Sequence, residues 1–128
     1  MSDSVLFGWL FRYIRRRKRD RDLHEAEAWP VTTAKRLKGT VVPKDELAEG
    51  SLAQSCQIEF PYYFVMDDGF FGGHLRTVPC SDSEGRRWIA KVDEGAPVTV
   101  RYDPRNPDRT HALAADNEGA LPFSIWSM

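Results

Sequence analysis

The run Val-Thr-Val-Arg-Tyr-Asp-Pro-Arg-Asn-Pro, residues 98–107, brings Tyr102, Asp103, Arg105 and Asn106 together. A phenol, a carboxylate, a guanidinium and a carboxamide at that spacing could hold an anion or move a proton. The flanking residues point elsewhere. Val98, Val100 and Tyr102 alternate with Thr99, Arg101 and Asp103, the pattern of a strand with one apolar face. Pro104 keeps Asp103 extended and suits the second position of a turn, where the Asp103 carboxylate accepts a backbone N–H two residues on. Asn106-Pro107 repeats that combination. Asp103, Pro104, Asn106 and Pro107 are therefore expected to be structural turn residues.

The remaining reactive side chains are dispersed. His24, His74 and His111 have no His-x-x-x-His spacing, and Cys56 and Cys80 are too few for a four-ligand zinc site. Neither cysteine opens an electropositive helix, so a Cys–His nucleophile pair is not indicated. Asp67-Asp68-Gly69 lacks the further ligands of a calcium loop, and Arg86-Arg87 reads as a solvated face. There is no glycine-rich phosphate loop and no nucleophile elbow. No catalytic residue, metal, cofactor or small-molecule substrate is predicted.

The charge distribution says more. The chain has 128 residues and a formal net charge of −1, yet residues 1–22 carry Arg12, Arg15, Arg16, Arg17, Lys18, Arg19 and Arg21 against Asp3, Asp20 and Asp22. A basic arm on an acidic body suggests that the arm alone meets an anionic partner. With Gly8 the only glycine and no proline before Pro30, one long helix is expected, ending at Trp29. Val5, Leu6, Phe7, Trp9, Leu10, Phe11, Tyr13 and Ile14 cover most of its first turns. That apolar run spans only about 15 Å at a helical rise, against a hydrocarbon core of about 30 Å. A helix lying in the interface fits better, with Leu6, Trp9, Leu10, Phe11, Tyr13 and Ile14 as membrane- or partner-binding residues, the aromatics among them at headgroup depth, and Arg15, Arg16, Arg17, Lys18 and Arg19 on anionic lipid. The basic run follows the apolar stretch rather than preceding it, so no signal peptide is expected. The arm thus predicts a peripheral position on the cytoplasmic side of the inner membrane, on the lipid surface or a membrane protein complex. Packing on its own domain, a homo-oligomer, or nucleic-acid binding through the basic run are the competing readings.

From Val31 the texture becomes β-rich. Val31 to Val42 reads as a first strand, followed by an acidic loop. Residues 55–66 and 70–78 form a hairpin about Asp67-Asp68-Gly69, with Asp68 and Gly69 as turn residues. Pro61 argues for an edge or a bulge in its first strand. A three-residue loop sets Cys56 opposite Cys80 within reach of a disulfide, whereas a two-residue Asp68-Gly69 turn separates them. In a reducing cytosol two buried thiols are the expectation. Ser81 and Glu84 make a capping box, Trp88, Ile89 and Val92 share a helical face, and Gly95 suits the end of that helix.

Gly95, Val98, Val100, Tyr102, Asp103, Pro104, Asn106, Pro107 and Leu113 together resemble the ending of the bacterial domain of unknown function 3592. Upstream, Trp29-Pro30, Tyr63, Val65, Gly69, Phe71 and Gly72 are similar in order, so the resemblance extends over residues 29–113. It implies a β-rich module associated with membranes and no catalytic residues. Ala34 stands where a glycine is expected, and the short apolar helix departs from the transmembrane helices of the family. In the tail, Leu121, Phe123 and Ile125 alternate, suiting a strand added to the chain's own sheet or to another subunit's edge. The expected organisation is an amphipathic basic helix over 1–28, a β-rich domain over 29–113 and a tail over 114–128. The fold class is α+β: a small, mostly antiparallel sheet or partly open barrel with one short helix and the N-terminal helix.

Overall fold

Alternation of large apolar and polar residues along Ile58–Met66 dictates the central strand, β3: Ile58, Phe60, Tyr62 and Phe64 point into the core while Glu59, Pro61, Tyr63 and Val65 point outward. The structure is a computed structural model and describes residues 17, 18, 20–43, 47 and 56–126. Around β3 lie β1 (Val31–Arg36), β2 (Thr40–Val41), β4 (Gly69–Thr77), β5 (Pro97–Asp103), β6 (Asn106–His111) and β7 (Ile125–Trp126). Their order is β6-β5-β1-β3-β4-β7, with β2 also paired to β3, and every pairing is antiparallel. Residues 20–26 are helical (α1), and a second helix, α2, covers Asp82–Lys91. The α+β, mostly antiparallel expectation holds at this level, as an open sheet with two helices among the described residues.

Pro61 lies in the centre of the sheet, not at an edge. Its carbonyl accepts from Leu37 N at 2.7 Å, so its nitrogen faces the same side. There the partner strand breaks between Arg36 and Thr40, β1 giving way to β2. The missing N–H therefore falls where no ladder bond is formed. The same break divides into β1 and β2 the single strand expected over Val31–Val42.

The hairpin turn is Asp67-Asp68, both at positive φ (50° and 65°), which pairs Met66 with Gly69. Gly69 is the first residue of β4 and not a turn residue. Aspartate tolerates the left-handed region well enough to occupy both central positions of this turn type.

Gly73 sits opposite Tyr62. A Cβ at Gly73 would lie 2.4 Å from Thr110 Oγ1 and 2.7 Å from the Tyr62 hydroxyl. With no side chain there, Tyr62 donates to Thr110 at 2.7 Å, and Thr110 to the Gly72 carbonyl at 3.4 Å. Edge strand β6 is thereby drawn toward β4, and the open sheet curls around its core. Burial pushes the Tyr62 phenol above its ordinary pKa, with the Thr110 bond opposing.

Ser81 caps α2, its hydroxyl accepting from Glu84 N at 3.2 Å. The helix ends at Lys91, and Gly95 lies beyond its C-cap Val92: at φ 83° it turns the chain back and donates to the Arg36 carbonyl at 2.7 Å. We expect Ser81→Ala to cost about 1 kcal/mol in urea unfolding, since the Glu84 amide then loses its protein acceptor. The tail packs on its own chain: Phe123 and Ile125 are buried, and β7 pairs with Arg76 and Thr77.

Candidate functional site

Tyr102 rests its ring against Phe64, centroids 5.8 Å apart. Asp103 Oδ1 accepts from Arg105 N at 2.9 Å, closing the Pro104-Arg105 turn. Asn106 pairs across the turn with Asp103, so Asn106 and Pro107 open β6 instead of making a second turn. A proline is tolerated there because β6 is an edge strand.

The turn has a second consequence. The β5–β6 register shifts between Tyr102 and Asp103, leaving Pro107, Asp108 and Arg109 outside the regular ladder. From this bulge Arg109 reaches the Asp103 carboxylate at 3.2 Å and the Glu25 carboxylate at 3.4 Å, with its guanidinium 5.3 Å from the centre of the Trp29 ring. Trp29 in turn stacks on His111, centroids 5.7 Å apart.

A second arginine grips the same segment. Arg101, on the polar side of β5, holds Asp116 with two bonds, Nε to Oδ2 at 2.7 Å and Nη2 to Oδ1 at 3.0 Å. Its Nη1 donates to the carbonyls of Glu27 at 2.6 Å and Trp29 at 3.1 Å. A cation at the carboxyl end of α1 is where the helix dipole favours one. The paired hydrogen bonds raise the Arg101 pKa and hold the Asp116 carboxyl below the usual carboxylate range. Ala26, in the last turn of α1, is fully buried. The base of the N-terminal arm is thus clamped to β5 and β6 by Arg101 and Arg109.

As chemistry, this is a holding device. The Arg101 guanidinium is engaged by two carbonyls and a carboxylate, and that of Arg109 by two carboxylates. His74 is exposed on β4 and His111 lies under Trp29, so the structure does not bring the histidines together. Among the described residues no three His, Cys, Asp or Glu side chains are grouped to hold a metal ion. Cys56 and Cys80 do meet, as free thiols with Sγ atoms 3.4 Å apart. Arg17 and Lys18 are exposed on helical turns, whereas Leu6, Trp9, Leu10, Phe11, Tyr13, Ile14, Arg15, Arg16 and Arg19 lie outside the described residues. No helix among the described residues is long and apolar enough to cross a membrane.

The hairpin, α2, the Pro104-Arg105 turn and β6 form one continuous stretch of chain. Residues 59–115 match the family Domain of unknown function (DUF3592). The DUF3592 span begins within β3 and ends at the short 3-10 turn of Ala115–Asn117. It is shifted from the 29–113 expected from motif order: Trp29-Pro30, Ala34, β1 and β2 precede it, and β7 follows it. The junction straddles its boundary. Arg101, Asp103, Arg109 and His111 belong to the DUF3592 span, while Glu25, Glu27, Trp29 and Asp116 lie outside. Neither the curated proteins nor the solved structures contain a significant match to the chain.

Sequence reasoning missed Arg101, Arg109 and Asp116 because their partners are far away along the chain, 74 positions in the case of Arg101 and Glu27. The only local signal was a large aromatic, Trp29, placed just before Pro30 at the mouth of the first strand.

Proposed function

We propose that this chain is a non-catalytic accessory or adaptor module, held peripherally on the cytoplasmic face of a membrane, or on a membrane protein complex there, by the segment that precedes Trp29. The observation that carries this reading is the clamp at the base of that segment. A flexible linker would leave the sheet free to tumble relative to whatever the arm meets. Two charge-assisted bonds from Arg101 to the Glu27 and Trp29 carbonyls, with Arg101 itself held by Asp116, and the Arg109–Trp29–His111 stack instead fix the base of the arm against β5 and β6. Such a fixed base is useful when an anchored arm must present the body in one orientation. The apolar-then-basic order of residues 5–21 supplies the chemistry of an interfacial helix.

Flotation of the full chain with vesicles tests this. We expect partitioning onto vesicles containing phosphatidylglycerol and much weaker partitioning onto phosphatidylcholine alone. Changing Arg15, Arg16, Arg17, Lys18 and Arg19 together to glutamine removes about 1 kcal/mol each, which lowers partitioning by about four-thousandfold. Trp9→Ser with Phe11→Ser should weaken binding to both vesicle types. Unchanged flotation of these variants defeats the proposal. So does steeply salt-dependent binding of the full chain to RNA or DNA in the absence of vesicle binding, which would make the arm a phosphate-backbone grip.

A further inference from the structure

Cys56 and Cys80 form an isolated antiparallel bridge beyond the ends of β3 and β4. Each amide donates to the other's carbonyl, at 2.8 and 2.9 Å. Residues paired in this way have Cα atoms about 5.5 Å apart, inside the range a disulfide spans. Their side chains share a face, with the sulfur atoms 3.4 Å apart.

A local irregularity creates this pairing. The β3–β4 register runs from Met66↔Gly69 to Glu59↔Arg76, and continued without change it would set Cys56 against Pro79. One extra residue on the β4 side shifts the register and brings Cys80 opposite Cys56. The slip is tied on both sides. Val78 N turns away to the Ser124 carbonyl at 3.0 Å, Gln57 Nε2 donates to the Thr77 carbonyl at 2.8 Å, and Ile58 N donates to Thr77 Oγ1 at 3.1 Å. Gln57 and Thr77 are fully buried in this knot.

Access is unequal. Cys80 lines a cleft of about 520 Å³ with Glu84, Trp88, Asn117 and Phe123. Cys56 lies behind it, 8% exposed, against Gly85 of α2, where a Cβ would stand 2.8 Å from the sulfur.

We propose that Cys56 and Cys80 are a dithiol–disulfide site, oxidised by thiol–disulfide exchange with a small disulfide of the glutathione class that reaches Cys80 through this cleft. In the first step the Cys80 thiolate attacks one sulfur of oxidised glutathione. The glutathione S–S bond breaks, and one glutathione leaves and takes up a proton. In the second step the Cys56 thiolate attacks the Cys80 sulfur of the mixed disulfide, forming the Cys56–Cys80 bond and expelling the second glutathione. Two electrons pass from the protein to glutathione, and the two cysteine protons end on the two glutathione thiols.

Burial first, then the neighbouring Cys56, pushes the Cys80 thiol up to about 12. Thiolate is scarce at neutral pH, so the first step is slow and its rate climbs about tenfold per pH unit over the alkaline range. The attacking group is thereby shielded from casual oxidation, while the second sulfur is already in place to resolve the adduct.

The test is to equilibrate the native full chain with graded ratios of oxidised to reduced glutathione, then quench and weigh it intact. The expected product has lost two hydrogens, carries no glutathione, and yields a peptide linking Cys56 to Cys80. Cys56→Ser should stop at a stable glutathione adduct on Cys80, and Cys80→Ser should leave Cys56 unmodified in the folded chain. Closing a loop of this length raises the thermal midpoint of the oxidised chain by roughly 10 °C over the reduced one. The proposal is overturned if both thiols stay free at the most oxidising ratio. A lasting glutathione adduct on Cys80 of the unaltered chain, or linkage only between chains, would overturn it equally.

Discussion

Phe60→Ala is expected to lower the free energy of unfolding by about 4 kcal/mol, a large share of what a domain of this size possesses. Phe60 is fully buried near the start of β3. It stacks parallel to Phe123 with centroids 5.2 Å apart, tying the tail to the central strand. The Arg36 guanidinium lies 4.7 Å from its ring centre, and a Cβ at Gly39 would collide with the ring at 2.4 Å. The side chain is therefore enclosed by β1, the link to β2 and the tail, none of which can move inward without giving up its own hydrogen bonds. Arg36 makes the cavity worse than its volume suggests. Its Nη atoms donate to the carbonyls of Leu37 and Asp93, while its buried Nε has no acceptor among the described residues. Removing the ring takes away the quadrupole that faces this cation. Urea unfolding followed by tryptophan fluorescence measures the loss, and Phe60→Leu, which keeps most of the volume, should cost about a third as much. Equal midpoints for Phe60→Ala and the unaltered chain would mean that the tail and β3 do not share a core.

Why some elements were legible and others not follows from the range of the interactions that form them. β3 and β5 announce themselves by alternation, and α2 by its cap, because those signals depend on neighbours in sequence. β6 is Asn-Pro-Asp-Arg-Thr-His, a composition that favours turns, and it becomes a strand only because β5 is there to pair with it. Pro61 misled for the same reason. A proline is excluded from a central strand only where its N–H is needed, and the break between β1 and β2 is invisible along the chain. In the motif that first suggested chemistry, Asp103 closes the Pro104-Arg105 turn through a local hydrogen bond, whereas Asn106 and Pro107 open β6 through pairing that depends on β5. The clamp was not legible at all: its arginines, carboxylates and carbonyls come from α1, β5, β6 and the 3-10 turn, and only the closed fold makes them neighbours.

The clamp is also where stability and the proposed anchoring separate cleanly. Arg101→Met should cost about 3 kcal/mol near neutral pH, because it strands the Asp116 carboxylate, only 15% exposed, and frees the Glu27 and Trp29 carbonyls together. The acid behaviour identifies the ionic share. Asp116 has its pKa depressed in the folded chain, chiefly by the Arg101 hydrogen bond. Its contribution is therefore fully present above the unfolded carboxylate value of about 3.9 and is lost as pH falls through the lower folded value. The stability gap between the unaltered chain and Arg101→Met should narrow below about pH 4 without closing, since the two carbonyl bonds survive protonation of Asp116. Asp116→Asn isolates the remainder. It removes the acid-dependent part yet leaves Arg101 on the end of α1, so the Trp29–His111 stack should persist and Trp29 emission should stay blue-shifted relative to Arg101→Met. On anionic vesicles Arg101→Met should still bind through its arm, but tumbling of the β3–β4 hairpin, read from a spin label at Asp68→Cys in a chain with Cys56→Ser and Cys80→Ser, should become faster. An unchanged spin-label signal would mean that the clamp stabilises the fold without orienting it.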